Sequence, residues 1–133
     1  GLSARTDETG ARALLALLEQ LGRKGRIVPT PPGVLHFKTD CSLLDEGTIL
    51  STERLAASGV FHGYRVLLTP QGEEAAANAL RVNDRVFLGD RFPRTAERLS
   101  AAGYRLVLLP SAQIALLDAG FSCLSLRWKA GTT

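Results

Sequence analysis

The chain has 133 residues, of which 45% are hydrophobic and 22% are charged, and its formal net charge is +3. This length and apolar content predict one folded domain and exclude an intrinsically disordered chain. Because the sequence has no apolar run of roughly 18 residues and no basic stripe interleaved with aromatic residues, we expect neither membrane insertion nor nucleic-acid binding.

The cysteine count and the first residues predict the setting of the chain. Two cysteines are too few for a disulfide-rich secreted scaffold, and no signal-peptide pattern opens the sequence, so we expect free thiols and a cytoplasmic protein. The sequence begins Gly1-Leu2-Ser3 and contains no methionine. We therefore expect a processed chain or a piece of a longer protein.

The first predicted element is a helix from about Thr6 to Gly22, with Thr6 as its cap. Asp7 and Glu8 lie near the positive end of its dipole. Its apolar face is formed by Leu14, Leu17, Leu18 and Leu21.

A repeat of about 40 residues organises the rest of the chain. Residues 26–29, 64–70 and 104–110 are short apolar segments that end near a proline, and a strand is predicted in each. The apolar runs 48–50 and 86–88 predict two further buried strands.

Two short helices are predicted between these strands. They begin at the capping residues Thr52 and Thr95 and end at Gly59 and Gly103. Each unit is thus a strand, a helix and a second strand, followed by a crossover into a third strand, and this alternation predicts an α/β fold. Because each unit leaves an apolar face uncovered, a three-unit array needs closure at its ends.

Cys123 is the first candidate for chemistry. A helix over residues 111–117, capped by Ser111, and a glycine turn place it at the start of a predicted final strand. A thiolate at a strand end can face a cleft and act as a nucleophile. The alternative is a buried structural cysteine.

His36 is the second candidate, in the alternating segment 34–41. Histidine transfers protons near neutral pH, although a lone histidine in a strand can equally be structural. His62, in a loop, is a weaker candidate. Arg5, ahead of the first helix, could bind a carboxylate with two hydrogen bonds or be an ordinary exposed arginine.

Three further polar residues invite structural explanations. Cys41 could pair with Cys123 in a disulfide or join a zinc site, but the CxxC and HxxxH spacings of zinc sites are absent. Glu73 and Glu74 are predicted to open a helix and to complement its dipole.

Four short motifs follow one another along the chain. They are Gly-Leu-Ser-Ala-Arg-Thr at 1–6, Leu-His-Phe-Lys-Thr-Asp-Cys-Ser at 35–42, and the segments 75–83 and 117–125. Together they resemble the dimethylarginine dimethylaminohydrolases, within the guanidino-group-modifying superfamily that includes arginine deiminases and amidinotransferases. Phe37 stands where the family motif has leucine. The 87-residue separation of His36 and Cys123 suits the bacterial members, and the resemblance covers essentially the whole chain.

The resemblance implies a role for each matching residue. Cys123 would attack the guanidinium carbon of an Nω-methylated arginine and form a covalent thiouronium intermediate. His36 would protonate the departing amine and then activate the water that releases citrulline. Arg5 would pair with the substrate α-carboxylate, and the backbone at Leu117 would contact the α-amino end. No cofactor or catalytic metal is implied, although Cys123 and His36 could together capture zinc.

The resemblance also implies a pentein fold, which is a five-bladed barrel of ββαβ units. Residues 1–133 would be a single domain that supplies about the last three units. The acidic residues that hold the guanidinium lie upstream in the family, so we expect full activity to need an N-terminal half, as a second chain or fragment. Self-association is the other expected partnership. The alternatives are an arginine deiminase-like or amidinotransferase-like enzyme, and a non-catalytic module that self-associates or binds a ligand.

Overall fold

The computed structural model describes residues 1–128. Within them lie four helices, six strands and two single turns of 3₁₀-helix. The helices are α1 (Glu8–Gln20), α2 (Glu53–Ala56), α3 (Pro93–Ala101) and α4 (Ala112–Ala115). The strands are β1 (Cys41–Leu43), β2 (Thr48–Ser51), β3 (Arg65–Leu68), β4 (Leu80–Val82), β5 (Arg85–Gly89) and β6 (Arg105–Leu109). The 3₁₀ turns are Phe37–Thr39 and Glu74–Ala77.

Two ββαβ units of the same topology form the body of the structure. In the first, β2 pairs antiparallel with β1 and, after the chain crosses through α2, parallel with β3. In the second, β5 pairs antiparallel with β4 and, after α3, parallel with β6. The predicted α/β class and the repeat over these two units are confirmed.

The prediction of a third unit is met only in part, because residues 26–29 form no strand. Leu2 and Pro29 make one isolated parallel bridge, in which the Leu2 amide donates to Val28 O at 2.7 Å. The Thr30 amide donates back to Leu2 O at 2.9 Å, which completes the bridge. On the other side, Ser3 turns back to pair with Thr6, so the pairing ends after one residue.

The core joins the two units. Leu44 and Leu50 of the first unit lie in one buried cluster with Val86, Leu88 and Leu99 of the second. A smaller cluster of Ile49, Leu55 and Phe61 fills the space beneath α2. No helix within residues 1–128 is both long and apolar enough to cross a membrane.

Helix α1 differs from its prediction at its start and on its apolar face. Asp7, not Thr6, caps the helix, and its carboxylate accepts from the Gly10 amide at 2.8 Å. No residue of α1 is buried, and the Leu17 side chain is 57% exposed. The leucine stripe is therefore an uncovered surface of this chain.

Because Leu17 gains little from folding in this structure, we expect Leu17→Ala to lower the free energy of unfolding by less than about 0.5 kcal/mol. Chemical denaturation should show this, with Leu50→Ala as the reference for a buried leucine in the same chain. A loss for Leu17→Ala as large as that for Leu50→Ala would mean that α1 is packed in solution.

The two central helices are capped in different ways. Thr52 caps α2 as predicted, since its side chain accepts from the Leu55 amide. Thr95 does not cap α3. Phe92 occupies that position without a side-chain bond. Instead, the buried Glu73 carboxylate accepts from the Thr95 amide and hydroxyl, both at 2.7 Å, and from the Arg94 amide at 3.1 Å.

The structure also differs from the helices predicted at residues 73–74 and at residues 111–117. The acidic pair precedes only the 3₁₀ turn Glu74–Ala77, and Glu73 holds the start of α3 instead of complementing a dipole of its own helix. Ser111 stands at the N-cap position of the shorter helix α4 but makes no capping bond. The glycine stops at Gly59 and Gly103 are present, with φ angles of 72° and 90°.

Candidate active site

The Cys123 thiol lies among donors contributed by two distant segments. It follows α4 in a turn over residues 121–124, and the predicted final strand is not formed through residue 128. Lys38 Nζ donates to Cys123 Sγ at 3.1 Å, and Asn78 Nδ2 donates to it at 3.6 Å. The thiol is exposed to solvent and free of any disulfide.

Asn78 also holds the turn that carries the thiol. Its Oδ1 accepts from the Ser122 hydroxyl at 2.6 Å and from the Ser122 amide at 3.2 Å. Lys38, which lies in the turn Phe37–Thr39, donates to Ser122 Oγ at 3.2 Å. Residues 120–124, which we call the nucleophile turn after the role predicted for Cys123, are thus held by one side chain that precedes β1 and one that precedes β4.

These contacts make the two cysteines chemically different. Partial burial opposes ionisation of Cys123, but hydrogen bonds from Lys38, the Gly120 backbone and Asn78, with the Lys38 charge, lower its thiol pKa to about 7. Burial raises the pKa of the Cys41 thiol to about 12, with a further contribution from the Asp40 charge. Only Cys123 therefore has a large thiolate fraction near neutral pH. Cys41 donates to Phe37 O at 3.4 Å and is also free, so the suggested disulfide is absent.

A cleft of about 590 Å³, which we call the active-site cleft, is lined by residues next to Cys123 in the chain, although Cys123 itself is not among its lining residues. Arg5 and His36 line it, as do Gly120 and Phe121 from the nucleophile turn and Asn78, which contacts the thiol. Two of the four predicted site residues, Arg5 and His36, therefore line the cleft, and Cys123 adjoins it through Asn78 and the residues before it in the chain.

The charged wall of the active-site cleft contains an ion pair that the sequence did not reveal. The Asp40 carboxylate, only 3% exposed, accepts from Arg54 Nε at 2.5 Å and Nη2 at 2.9 Å, and from the Thr52 hydroxyl at 2.7 Å. Asp40 is thus engaged with Arg54. The carboxylates of Glu74 and Asp118 also line the cleft.

His36 is placed differently from its prediction. It is exposed and lies just before the turn Phe37–Thr39, not in a strand. The Thr39 amide and hydroxyl both donate to His36 O, at 3.0 and 2.7 Å, which turns the chain away from an extended path. Among residues 1–128, no hydrogen bond joins the His36 and Cys123 side chains.

Arg5 and Leu117 also keep free side chains. Arg5 forms no ion pair within residues 1–128, and its amide donates to Ser3 Oγ at 3.0 Å. Leu117 lies in the turn after α4 with its side chain 74% exposed, and Asp118 lines the cleft in its place. His62 is exposed in the turn before β3, away from the cleft.

No group of three or more His, Cys, Asp or Glu side chains in the described part of the chain could hold a metal ion. Zinc capture by the pair Cys123 and His36 stays a prediction.

Lys38 and Asn78 are site residues that the sequence interpretation did not single out. Lys38 lies in the motif at 35–42 and Asn78 in the motif at 75–83. Their positions in these motifs were the sequence feature that could have pointed to them. An amide or an ammonium group suggests no reaction by itself, so only the fold shows that these two residues meet Cys123.

The close approach of Asn78 to the nucleophile turn depends on Gly120. A Cβ added there would lie 2.3 Å from Asn78 Nδ2 and 2.5 Å from its Cγ. We expect Gly120→Ala to displace Asn78 and to slow iodoacetamide alkylation of Cys123 at pH 7 by about threefold to tenfold, because the hydrogen bonds to the thiolate weaken. Gly10→Ala, in the exposed helix α1, is the control and should leave the rate unchanged. Equal rates for the wild type and Gly120→Ala would contradict this role of Asn78.

Comparison with known proteins gives this site a context. No protein-family model matches the chain. The chain is 35% identical over 128 residues to the N(G),N(G)-dimethylarginine dimethylaminohydrolase of Pseudomonas aeruginosa, across 96% of this chain and 50% of that relative. A structure of the P. aeruginosa enzyme, a cysteine-to-serine variant complexed with citrulline, superposes with a TM-score of 0.89 at 34% identity, over 96% of this chain and 50% of that one. The chain is thus similar in sequence and in fold to about half of a dimethylarginine dimethylaminohydrolase.

Each of these matches covers only part of the relative. The chain spans about half the length of the curated relatives it matches. An amidinotransferase from Microseira wollei shares the fold alone, with a TM-score of 0.74 and 20% identity over 89% of this chain and 38% of that one. The two complete ββαβ units thus lie within the part of the chain that shares its fold with these proteins.

Proposed function

We propose that this chain supplies the nucleophile and the proton-transfer residue of a hydrolase that converts Nω-methylated arginine to citrulline and a methylamine. The observation that carries the proposal is the Cys123 thiol, held by Lys38 and Asn78 beside a cleft lined by Arg5 and His36. The names of the relatives at 34–35% identity support this substrate class.

The spacing of the two reacting residues supports the same proposal. Structures of dimethylarginine dimethylaminohydrolases include the cysteine-to-serine variant with citrulline and a histidine-to-glycine variant as an adduct with S-methyl-L-thiocitrulline. In the numbering of those structures, the replaced cysteine and the replaced histidine lie 87 positions apart. Cys123 and His36 have the same separation in this chain.

In the proposed reaction, the Cys123 thiolate adds to the guanidinium carbon. His36 then donates a proton to the methylated nitrogen. The C–N bond to that nitrogen breaks, and the methylated amine leaves. The product bound to the chain is an S-alkylthiouronium. His36, now neutral, takes a proton from water, whose oxygen adds to the same carbon, and the C–S bond breaks to release citrulline and the thiolate.

Substrate orientation is proposed to come from the ends of the amino acid. Arg5 has a free guanidinium at the active-site cleft and pairs with the α-carboxylate, while the backbone at Leu117 binds the α-amino group. The substrate guanidinium is positive and needs carboxylates. Because Asp40 is occupied by Arg54, we propose that residues equivalent to the rest of the relatives' length supply them.

Reconstitution tests this proposal. The chain would be mixed with the half of the P. aeruginosa relative that it does not match, and citrulline release from Nω,Nω-dimethylarginine would be measured with each part alone and together. We expect turnover only in the mixture, with loss of turnover in Cys123→Ser and retention in the matched control Cys41→Ser. Turnover that survives Cys123→Ser would contradict the proposal, and faster ammonia release from arginine would favour a deiminase.

A further inference from the structure

A second cleft is lined by Lys38 and has a strongly basic lining. We call it the basic cleft. It has a volume of about 380 Å³ and is lined by Lys38, Arg81 and Arg127, together with uncharged residues that include Ser42 and Asn83. No aspartate or glutamate of the described chain lines it. Asp84, next to Asn83, is paired with Arg105 at 2.9 Å.

The cations of the basic cleft are held in place by backbone contacts. Arg81 Nε donates to Asn83 O at 2.9 Å, and Arg127 Nη1 donates to Arg81 O at 2.7 Å. Neither guanidinium is paired with a carboxylate in residues 1–128. Three cationic side chains thus line the cleft with no carboxylate among its described lining residues, and only Lys38 has a negative group nearby, in the Cys123 thiolate. Such an arrangement favours an anion.

The Ser42 hydroxyl is a second, independent observation at the same place. Its Oγ is buried and has no hydrogen-bond partner in the described structure. A buried hydroxyl without a partner costs free energy, so a ligand that accepts its hydrogen bond would be favoured there.

We propose that the basic cleft binds a small tetrahedral oxyanion through Lys38, Arg81, Arg127 and the Ser42 hydroxyl. Guanidinium groups bind such anions with paired N–H donors, and the ammonium group acts as a point charge. This inference does not depend on the proposed reaction. Because Lys38 also donates to Cys123 Sγ, a bound anion competes with the thiolate for the same ammonium group and lowers thiol reactivity.

Sulfate is the probe, because its charge does not change near neutral pH. Amide chemical shifts of the ¹⁵N-labelled 133-residue chain would be followed during titration with sodium sulfate, against sodium chloride at equal ionic strength. We expect saturable shifts at residues 42–43 and 81–83, and about tenfold weaker binding in Arg81→Gln or Arg127→Gln. Arg23→Gln removes the same charge from a residue outside the basic cleft and should change nothing.

The proposal would be overturned if sulfate caused no chemical-shift changes or changes that do not saturate. It would also be overturned if Arg23→Gln weakened sulfate binding as much as Arg81→Gln does. Testing both Arg81→Gln and Arg127→Gln guards against one variant that does not fold, since Arg81 lies in β4 and Arg127 follows the strands. Sulfate is also expected to slow iodoacetamide alkylation of Cys123 about twofold to threefold, by drawing on the Lys38 charge. Saturable binding with an unchanged alkylation rate would overturn the assignment of Lys38 to the site.

Discussion

Replacing Lys38 with methionine should slow alkylation of Cys123 at pH 7 by about tenfold or more, because the thiolate loses its closest positive charge. The Lys38 ammonium lies 3.1 Å from Sγ, and its hydrogen bond is the largest of the effects that lower the thiol pKa. Without it, partial burial is opposed only by the Gly120 backbone and Asn78, so the pKa rises from about 7 toward the ordinary value of 9.0. Fewer thiolates are then present at neutral pH.

The measurement is the iodoacetamide rate as a function of pH. In the Lys38→Met variant the midpoint should move to higher pH, while the rates above the new midpoint approach those of the wild type, because the fully ionised thiol is the same nucleophile. Lys38→Arg should restore part of the shift, and Lys24→Met, at an exposed site, should cause none. A general loss of structure would lower the rate at every pH instead, and an unchanged midpoint would contradict the role of Lys38.

The two ββαβ units could be predicted because their signals are local. Apolar runs, a capping Thr52 and the stops at Gly59 and Gly103 act within a few residues, and the repeat spacing adds consistency. The strand predicted at residues 26–29 failed because a strand depends on its partner. Only Leu2 pairs there, because the chain turns back at Ser3 to pair with Thr6.

The sequence offers Cys123 and His36 as candidate reactive groups, whose roles stay predictions, but it does not indicate which side chains contact Cys123. Cys123 and His36 were identified by residue type and by the family resemblance. The contacts of Cys123 with Lys38 and Asn78 join residues 85 and 45 positions apart, and no local pattern encodes them. The pKa of the thiol follows from those contacts, so its reactivity could not be inferred from the sequence.

The contact of Glu73 with the start of α3 also joins residues that are distant in sequence, so it could not be predicted either. Its removal has the largest effect on stability that we expect. Glu73→Ala should lower the free energy of unfolding by about 2–4 kcal/mol, because the Thr95 amide and hydroxyl and the Arg94 amide lose a charged acceptor in a buried place. Glu97→Ala, at an exposed position of the same helix, is the matched control and should stay within about 0.5 kcal/mol of the wild type. Equal losses in the two variants would show that Glu73 does not hold α3.

The pH dependence gives this prediction a second, independent measurement. Burial opposes ionisation of Glu73, but the bonds from Thr95 and Arg94 outweigh it and hold the pKa of the folded carboxyl below its ordinary value of 4.5. The contribution is therefore fully present above the unfolded pKa and is lost as the pH falls through the lowered folded pKa. Denaturation at pH 7 and at successively lower pH should show the gap between wild type and Glu73→Ala narrowing on the acid side. Since a protonated Glu73 can still fill its space but accepts hydrogen bonds less strongly, a gap that stays constant with pH would mean that Glu73 stabilises α3 by packing and not by its charge.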